Sequence, residues 1–345
     1  MPIVGASFQE VLSVAEQAIS IPSLSGDEGN VLRFFESCFQ SFGWSVERIP
    51  ISDERYNLLV TFGVPEIIFT THVDVVPGPD FLFRPRRADD AIFGRGSCDA
   101  KGIAATMVGV CRYLEKTKRT NFGLLLVVGE EDDGIGAITA ARELKGRGIR
   151  HLINGEPTKN RLVVGHKGFV RFQLKATGRA AHSGYPELGD DANAKLVRTL
   201  ARVLEADFGS DPILGKGTLT IGTLKGGVAS NVVSPAAECD CSVRLVGPKD
   251  EVLESVRRAV RGEAELTEMR SVAAVRLKSI PGFETETVAY VTDVPAFLPL
   301  TENCYLYGPG SIDVAHSNDE HLKLIDVEAG LRGYLKIFEI LSASA

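Results

Sequence analysis

Residues 67–74 read Ile-Ile-Phe-Thr-Thr-His-Val-Asp. The run Ile67–Thr71 is apolar or β-branched without alternation, which predicts a strand buried on both faces, of the kind found in sheets covered by helices. It ends at His72 and Asp74. The same grammar recurs downstream. Leu124–Val128 is an apolar run that stops just before Glu130-Glu131, and the shorter Leu152–Ile153 stops just before Glu156. Around these runs lie helical patterns, Asn30–Phe42 with Val31, Phe34, Phe35 and Cys38 on one side, and Gly102–Glu115. Strands alternating with helices predict an α/β fold with a mostly parallel sheet. In such sheets ligands collect beyond the carboxyl ends of the strands, where His72, Glu130 and Glu156 are expected.

From about Lys167 the pattern changes. Phe169–Thr177 alternates and Thr218–Leu224 is strand-like. Ala237, Cys239, Cys241, Val243 and Leu245 form the apolar face of a period-two strand, with Glu238, Asp240, Ser242 and Arg244 on the other. This predicts an antiparallel sheet with one wet face. Asp190–Leu204 and Lys249–Arg261 read as amphipathic helices. The tail reverts to the first pattern, with a strand at Asn303–Tyr307, a turn at Gly308-Pro309-Gly310 and a closing helix at Val327–Leu341. The expected division is therefore residues 1–166, an inserted sheet-plus-two-helices unit over 167–279, and a return over 280–345.

Composition narrows the function. With 45 acidic against 38 basic residues and a formal net charge of -7, the chain lacks the basic imprint of a phosphate-binding surface, so no nucleic-acid partner is expected. No apolar run approaches the ~20 residues of a membrane span, and Met1–Ser20 lacks the pattern of a signal peptide. Six cysteines without a CxxC spacing argue against zinc-ribbon or thioredoxin chemistry; free thiols and a cytoplasmic location fit best.

The ordered set His72, Asp74, Asp99, Glu130, Glu131, Glu156 and His316 suits two zinc-like ions. Zinc takes imidazole nitrogen and carboxylate oxygen, and paired ions ~3.5–4 Å apart commonly share a carboxylate. His72 and Glu156 suit one ion and Glu131 and His316 the other, with Asp99 able to bridge. Asp74 is placed to orient the imidazole of His72. Glu130 lies beside a ligand but diverges from it, which suits a general base. Each residue taken singly has an ordinary alternative: a hydrogen-bonded core histidine, a helix N-cap at Asp99, a solvated acidic loop at Glu130–Asp133. Zinc, cobalt and manganese all accept such donors.

The segments Thr71-His-Val-Asp-Val-Val-Pro77, Gly94-Arg-Gly-Ser-Cys-Asp-Ala-Lys-Gly102, Gly129-Glu-Glu131, Gly155-Glu-Pro-Thr158, Ala181-His-Ser-Gly184 and Gly310-Ser-Ile-Asp-Val-Ala-His316 together resemble the M20 metallopeptidase and deacylase family over nearly the whole chain. The resemblance is nearest to the acetylornithine deacetylase, succinyl-diaminopimelate desuccinylase and glutamate carboxypeptidase branch. It implies a di-zinc catalytic domain with an inserted lid that pairs two subunits into a homodimer. It adds His182 as an oxyanion-steadying histidine, and Asn231, Arg244, Gly308 and Gly310 as substrate-binding positions.

The expected reaction is hydrolysis of the amide of an N-acyl amino acid, most nearly acetylornithine or acetyl-lysine, as in arginine or lysine biosynthesis. A succinyl-diaminopimelate desuccinylase and a dipeptidase or carboxypeptidase are the alternatives. Outside enzymes, the alternative is a metal- or amino-acid-binding protein that has lost catalysis.

Overall fold

A computed structural model describes residues 6–52, 54–88 and 90–343. The chain divides into two compact units. The first comprises Met1–Val164, Leu277–Glu286 and Thr292–Ala345; the second comprises Gly165–Arg276 and Thr287–Val291.

The first unit is built on a sheet with strands in the order Val46–Pro50, Tyr56–Phe62, Phe122–Val127, Ile67–His72, His151–Asn154, Cys304–Leu306 and Leu162–His166. Its centre is parallel: Ile67–His72 runs alongside both Phe122–Val127 and His151–Asn154, and the latter alongside Cys304–Leu306. Every residue of the strands Ile67–His72 and Phe122–Val127 is buried, which is why both read as unbroken apolar runs. The sheet as a whole is mixed, not mostly parallel. Val46–Pro50 pairs antiparallel with Tyr56–Phe62, which pairs antiparallel with Phe122–Val127, and the Cys304–Leu306 to Leu162–His166 pairing is antiparallel too. Val46–Pro50 and Tyr56–Phe62 are joined by a connection too short for a crossover helix, so they can only be antiparallel.

Helices α1 (Ala6–Ile19), α2 (Gly29–Ser41), α3 (Lys101–Lys116) and α4 (Ile135–Glu143) belong to this unit. The helix expected at Gly102–Glu115 is α3, buried from Lys101 to Val108 without a break. A closing helix spans Leu324–Ala343, and its Tyr334 and Phe338 pack against Phe69 and Phe122 of the central strands.

The second unit is a four-stranded antiparallel sheet in the order Thr218–Gly226, Ala236–Leu245, Gly168–Thr177, Glu265–Val272. Burial along Ala236–Leu245 alternates, with Ala237, Cys239, Cys241, Val243 and Leu245 inside. Helices α5 (Ala192–Leu204) and α6 (Lys249–Val260) supply Leu196, Leu200, Val203, Val252, Val256 and Val260 to the same core. Asp191 caps α5 by accepting from the Ala194 N–H at 3.2 Å. All six cysteines are free thiols. No helix among the described residues is long and apolar enough to cross a membrane.

Candidate metal centre

The parallel register explains how the site begins. His72 is the last residue of its strand and pairs in register with Val127, while Thr70 pairs with Asn154. Three neighbouring strands therefore end side by side. Glu130-Glu131 and Glu156 follow two of these ends by a few residues, and His72 occupies the third. The Thr71 hydroxyl donates to the Gly155 carbonyl at 2.8 Å, fastening the Glu156 turn to the His72 strand.

His72, Asp99 and Glu156 offer ligand atoms all within 4.8 Å of one another, and so do Asp99, Glu131 and His316. Asp99 is common to both groups. Its Oδ1 lies 3.1 Å from His72 Nε2 and its Oδ2 3.4 Å from His316 Nε2. His316 Nε2 is 2.8 Å from Glu131 Oε1. The Asp99 carboxylate does not cap α3: the N-cap position is Ala100, with no side-chain cap bond. His72, Asp99 and Glu156 are buried, whereas the His316 side chain is 49% exposed. His316 also has φ 61°, a region that costs a non-glycine residue of order 1–3 kcal/mol and recurs at functional sites.

Asp74 does more than orient His72. The Nδ1–H of His72 is 3.0 Å from the Asp74 backbone carbonyl and 3.5 Å from its Oδ1, which leaves Nε2 to face Asp99. The Asp74 carboxylate itself accepts from the N–H groups of Glu130 and Glu131, each at 3.1 Å, and from the Ser25 hydroxyl at 2.7 Å. One buried carboxylate thus sets the turn that separates Glu130 from Glu131. Glu131 turns to His316. The Glu130 carboxylate has no hydrogen-bond partner among the described residues.

The electrostatics of this cluster call for a cation. Burial raises the Glu130 and Glu156 carboxyls well above their ordinary range; Glu156 adds repulsion at Glu130. Glu131 is raised by burial against the pull of His316. Burial works against protonation of His72, but Asp74 and Asp99 overcome it and lift its pKa well above the usual value. Hydrogen bonds to Asp99 and Glu131 lift His316 to about 10. Asp99 is held low, its two histidine partners outweighing burial. Among the described residues, no Lys or Arg forms an ion pair with Asp99, Glu130, Glu131 or Glu156. Carboxylates concentrated with imidazoles and without basic side chains are the donor set that divalent N/O-binding ions fit.

Several residues that order the site carry no local signal in the sequence. Glu320 is buried; its Oε1 accepts from the N–H groups of Gly96, Cys98 and Asp99 at 2.8, 3.2 and 3.3 Å, and its Oε2 from Arg95 at 2.6 Å. Arg95 also reaches the carbonyls of His316 and Pro77, each at 3.4 Å. This buried pair ties together the loops bearing Asp99, His316 and His72. Asp293 is a further buried carboxylate, held by burial up at about 7. Gly308 and Gly310, expected to touch substrate, have a packing role here. A Cβ on Gly308 would lie 2.5 Å from the Glu156 carbonyl oxygen. One on Gly310, at φ +88°, would lie 2.8 Å from Cys98 Cβ. The two glycines let the 308–310 turn approach the loops of Glu156 and Asp99.

His182, Asn231 and Arg244 lie in the second unit. His182 is exposed and forms a β-bridge with Val232; its Nδ1 accepts from the Gly184 N–H at 3.0 Å, so the proton sits on Nε2. The Asn231 carbonyl accepts from the Ser183 N–H at 3.0 Å. Arg244 is exposed on the wet face of its strand.

The sequence profile of peptidase family M20/M25/M40 matches residues 68–340. The chain belongs to this family and is a hydrolase of the metallopeptidase type. It is similar to a peptidase M20 domain-containing protein of Schizosaccharomyces pombe, 35% identical with 95% of this chain and 84% of that protein covered. It is also similar to a protein of Aspergillus clavatus named a probable carboxypeptidase, 37% identical with 95% and 88% covered. Its fold resembles the crystal structure of a tripeptidase from Staphylococcus aureus, with a TM-score of 0.82 and 19% identity over 97% of this chain and 99% of that one.

Proposed function

We propose that the protein is a metal-dependent carboxypeptidase or dipeptidase that releases the C-terminal amino acid of short peptides. The reading rests on the pair of donor groups that share Asp99. It is supported by the carboxypeptidase name carried by relatives at 36–37% identity. Acetylornithine or acetyl-lysine deacetylation, favoured by the sequence motifs, has less support. The chemistry is closely related, because an acylated amino acid and a dipeptide both present an amide beside a free carboxylate.

In this reading His72, Asp99 and Glu156 would hold one divalent ion and Asp99, Glu131 and His316 a second. Such ions, when bound, polarise the scissile carbonyl and make water acidic enough to deprotonate near neutral pH. Glu130, whose carboxyl burial raises well above its ordinary range, takes the proton from water and returns it to the leaving amine. His182 donates from Nε2 to the developing oxyanion. Asn231 and Arg244 hold the terminal carboxylate, where a planar guanidinium is better suited than an ammonium. The second unit is proposed to act as the lid and as the surface that pairs two copies of the chain.

The test is a panel of dipeptides, their C-terminal amides and N-acetylated amino acids, assayed for released amine with zinc, manganese or cobalt supplied. Free-carboxylate dipeptides should be cleaved and their amides spared. Faster turnover of acetylornithine than of every dipeptide would return the assignment to the deacetylases.

A further inference from the structure

The loop that carries Glu130 is gripped from behind as well as from the metal side. Asn57, buried on the strand Tyr56–Phe62, accepts from the Val128 N–H at 3.3 Å and donates to the Gly136 carbonyl at 2.8 Å, so the loop is pinched at both feet. Within the pinch the Gly134 N–H donates to the Gly129 carbonyl at 2.6 Å. Gly129 has φ +77°, and a Cβ there would lie 2.8 Å from Asp133 Oδ1 and 3.0 Å from Arg55 Nη2. Glycine leaves room for the Arg55 guanidinium to lie against the backbone just before Glu130.

Arg55 is itself fixed. Its Nε and Nη2 donate to the two carboxylate oxygens of Glu28 at 3.0 and 2.8 Å. Such a two-point bond sets the plane of the guanidinium as well as its distance. Glu28 is fully buried and also accepts from the Gly26 N–H at 2.9 Å. One residue earlier, the Ser25 hydroxyl donates to Asp74, the carboxylate that accepts from the N–H groups of Glu130 and Glu131. The contacts close a ring that runs from Asp74 through the 25–28 segment, Arg55 and Gly129 to Glu130, and back to Asp74. Hydrogen bonding to Glu28, with smaller contributions from Asp133 and Asp74, raises the Arg55 pKa against burial.

The Arg55 side chain is only 22% exposed and that of Glu28 not at all. A buried ion pair is weak evidence for stability, because desolvation offsets the attraction; its best-attested use is to fix one arrangement over others. Here the arrangement is the turn of the base. Glu130 is acted on by burial and by neighbouring charges but by no hydrogen bond to its carboxylate among the described residues. Its aim is set by the backbone that carries it.

We infer that Arg55, held by Glu28, is a positioning residue for Glu130: it backs the Gly129 turn and keeps the base aimed while Asp74 holds the turn from the front. The inference rests on the reading of Glu130 as general base.

The test compares Arg55→Ala, Arg55→Lys and the paired variant Glu28→Gln with Arg55→Met, at saturating metal and with a dipeptide that the wild-type protein cleaves. Arg55→Ala should lose ~10–100-fold in kcat, the scale on which outer partners act. Its KM should stay within about twofold of wild type, since a mis-aimed base costs the transition state and not substrate binding. Arg55→Lys, a cation without the fork, should recover part of the loss. Guanidinium ion at a non-denaturing concentration should restore turnover to Arg55→Ala, and urea, planar but uncharged, should not. The paired variant leaves no buried charge without a partner; it should fold, bind metal at wild-type stoichiometry and show the same loss of kcat. In a Glu130→Gln background Arg55→Ala should cost nothing further, because both changes act on one function. Wild-type kcat in the paired variant, rescue by urea as good as by guanidinium, or a full extra loss on top of Glu130→Gln overturns the inference and leaves Glu130 standing as the base. Full activity of Glu130→Gln alone overturns the base assignment, and the inference with it.

Discussion

At the scale of single residues, two carboxylates carry distinct tasks. Glu130 is separated from Glu131 by the two N–H bonds that Asp74 accepts. Glu130→Gln is therefore expected to keep bound metal at wild-type stoichiometry and lose turnover by ~10²–10⁴-fold. Metal analysis alongside steady-state kinetics decides it; full activity would remove the base assignment. Glu320 offers no ligand atom to either donor group, yet it holds three N–H groups of the Asp99 loop and the Arg95 guanidinium. Removing one partner of such a buried pair costs ~3–5 kcal/mol, and loss of an outer partner commonly costs ~10–100-fold in metal affinity or activity. Glu320→Gln should weaken metal binding by that factor in a chelator-competition titration; unchanged affinity would reduce Glu320 to a fold-stabilising role.

At the scale of elements, the Gly308-Pro309-Gly310 turn shows what loop packing adds. Thr158 and Gly308 exchange bonds, with the Gly308 N–H donating to Thr158 Oγ1 at 2.9 Å. A side chain at 308 would push against the Glu156 backbone. Gly308→Ala should lower the melting temperature and metal affinity together. A variant as stable and as metal-avid as wild type would show that the turn can yield.

The strand Leu162–His166 ends in a fully buried histidine whose Nδ1–H donates to the Lys167 carbonyl at 2.9 Å and whose Nε2 has no partner among the described residues. Burial depresses its pKa to about 4, against ~6.5 in an unfolded chain. The unfolded state then binds the extra proton first as pH falls. Stability from this group is intact above ~6.5 and is lost as pH drops toward 4. Unfolding midpoints between those values should fall in the wild type and fall less steeply in His166→Gln; parallel slopes would acquit the histidine.

At the scale of the whole molecule, the donor cluster links metal to stability. Burial raises the Glu130, Glu131 and Glu156 carboxyls, and among the described residues no Lys or Arg pairs with them, so a divalent ion that binds the folded chain should stabilise it. Ligand at 100 times its dissociation constant adds ~2.7 kcal/mol. Chelation should abolish hydrolysis and lower the melting temperature, with recovery on adding zinc, cobalt or manganese. A melting temperature indifferent to chelator would contradict a cluster built for metal.

How much of this was legible in the chain follows from locality. Burial on both faces demands unbroken apolar runs, so the strands ending at His72 and before Glu130 were visible, as was the period-two strand Ala236–Leu245. The edge strand Val46–Pro50 and its neighbour Tyr56–Phe62 are not among the expected strands, and with them goes the antiparallel edge; in the second, a buried polar Asn57 breaks the apolar run. Val46–Pro50 keeps only Ile49 fully inside, and an exposed strand need not alternate. The sequence by itself determined which donors stand at the ends of which strands, because side-chain type and strand burial are written locally. Only the tertiary structure decided that Glu320, 221 residues from Asp99, anchors the Asp99 loop, that Asp74 divides Glu130 from Glu131, and that Gly308 and Gly310 serve packing. Those facts are distances between segments remote in the chain, and such distances exist only once the backbone has closed.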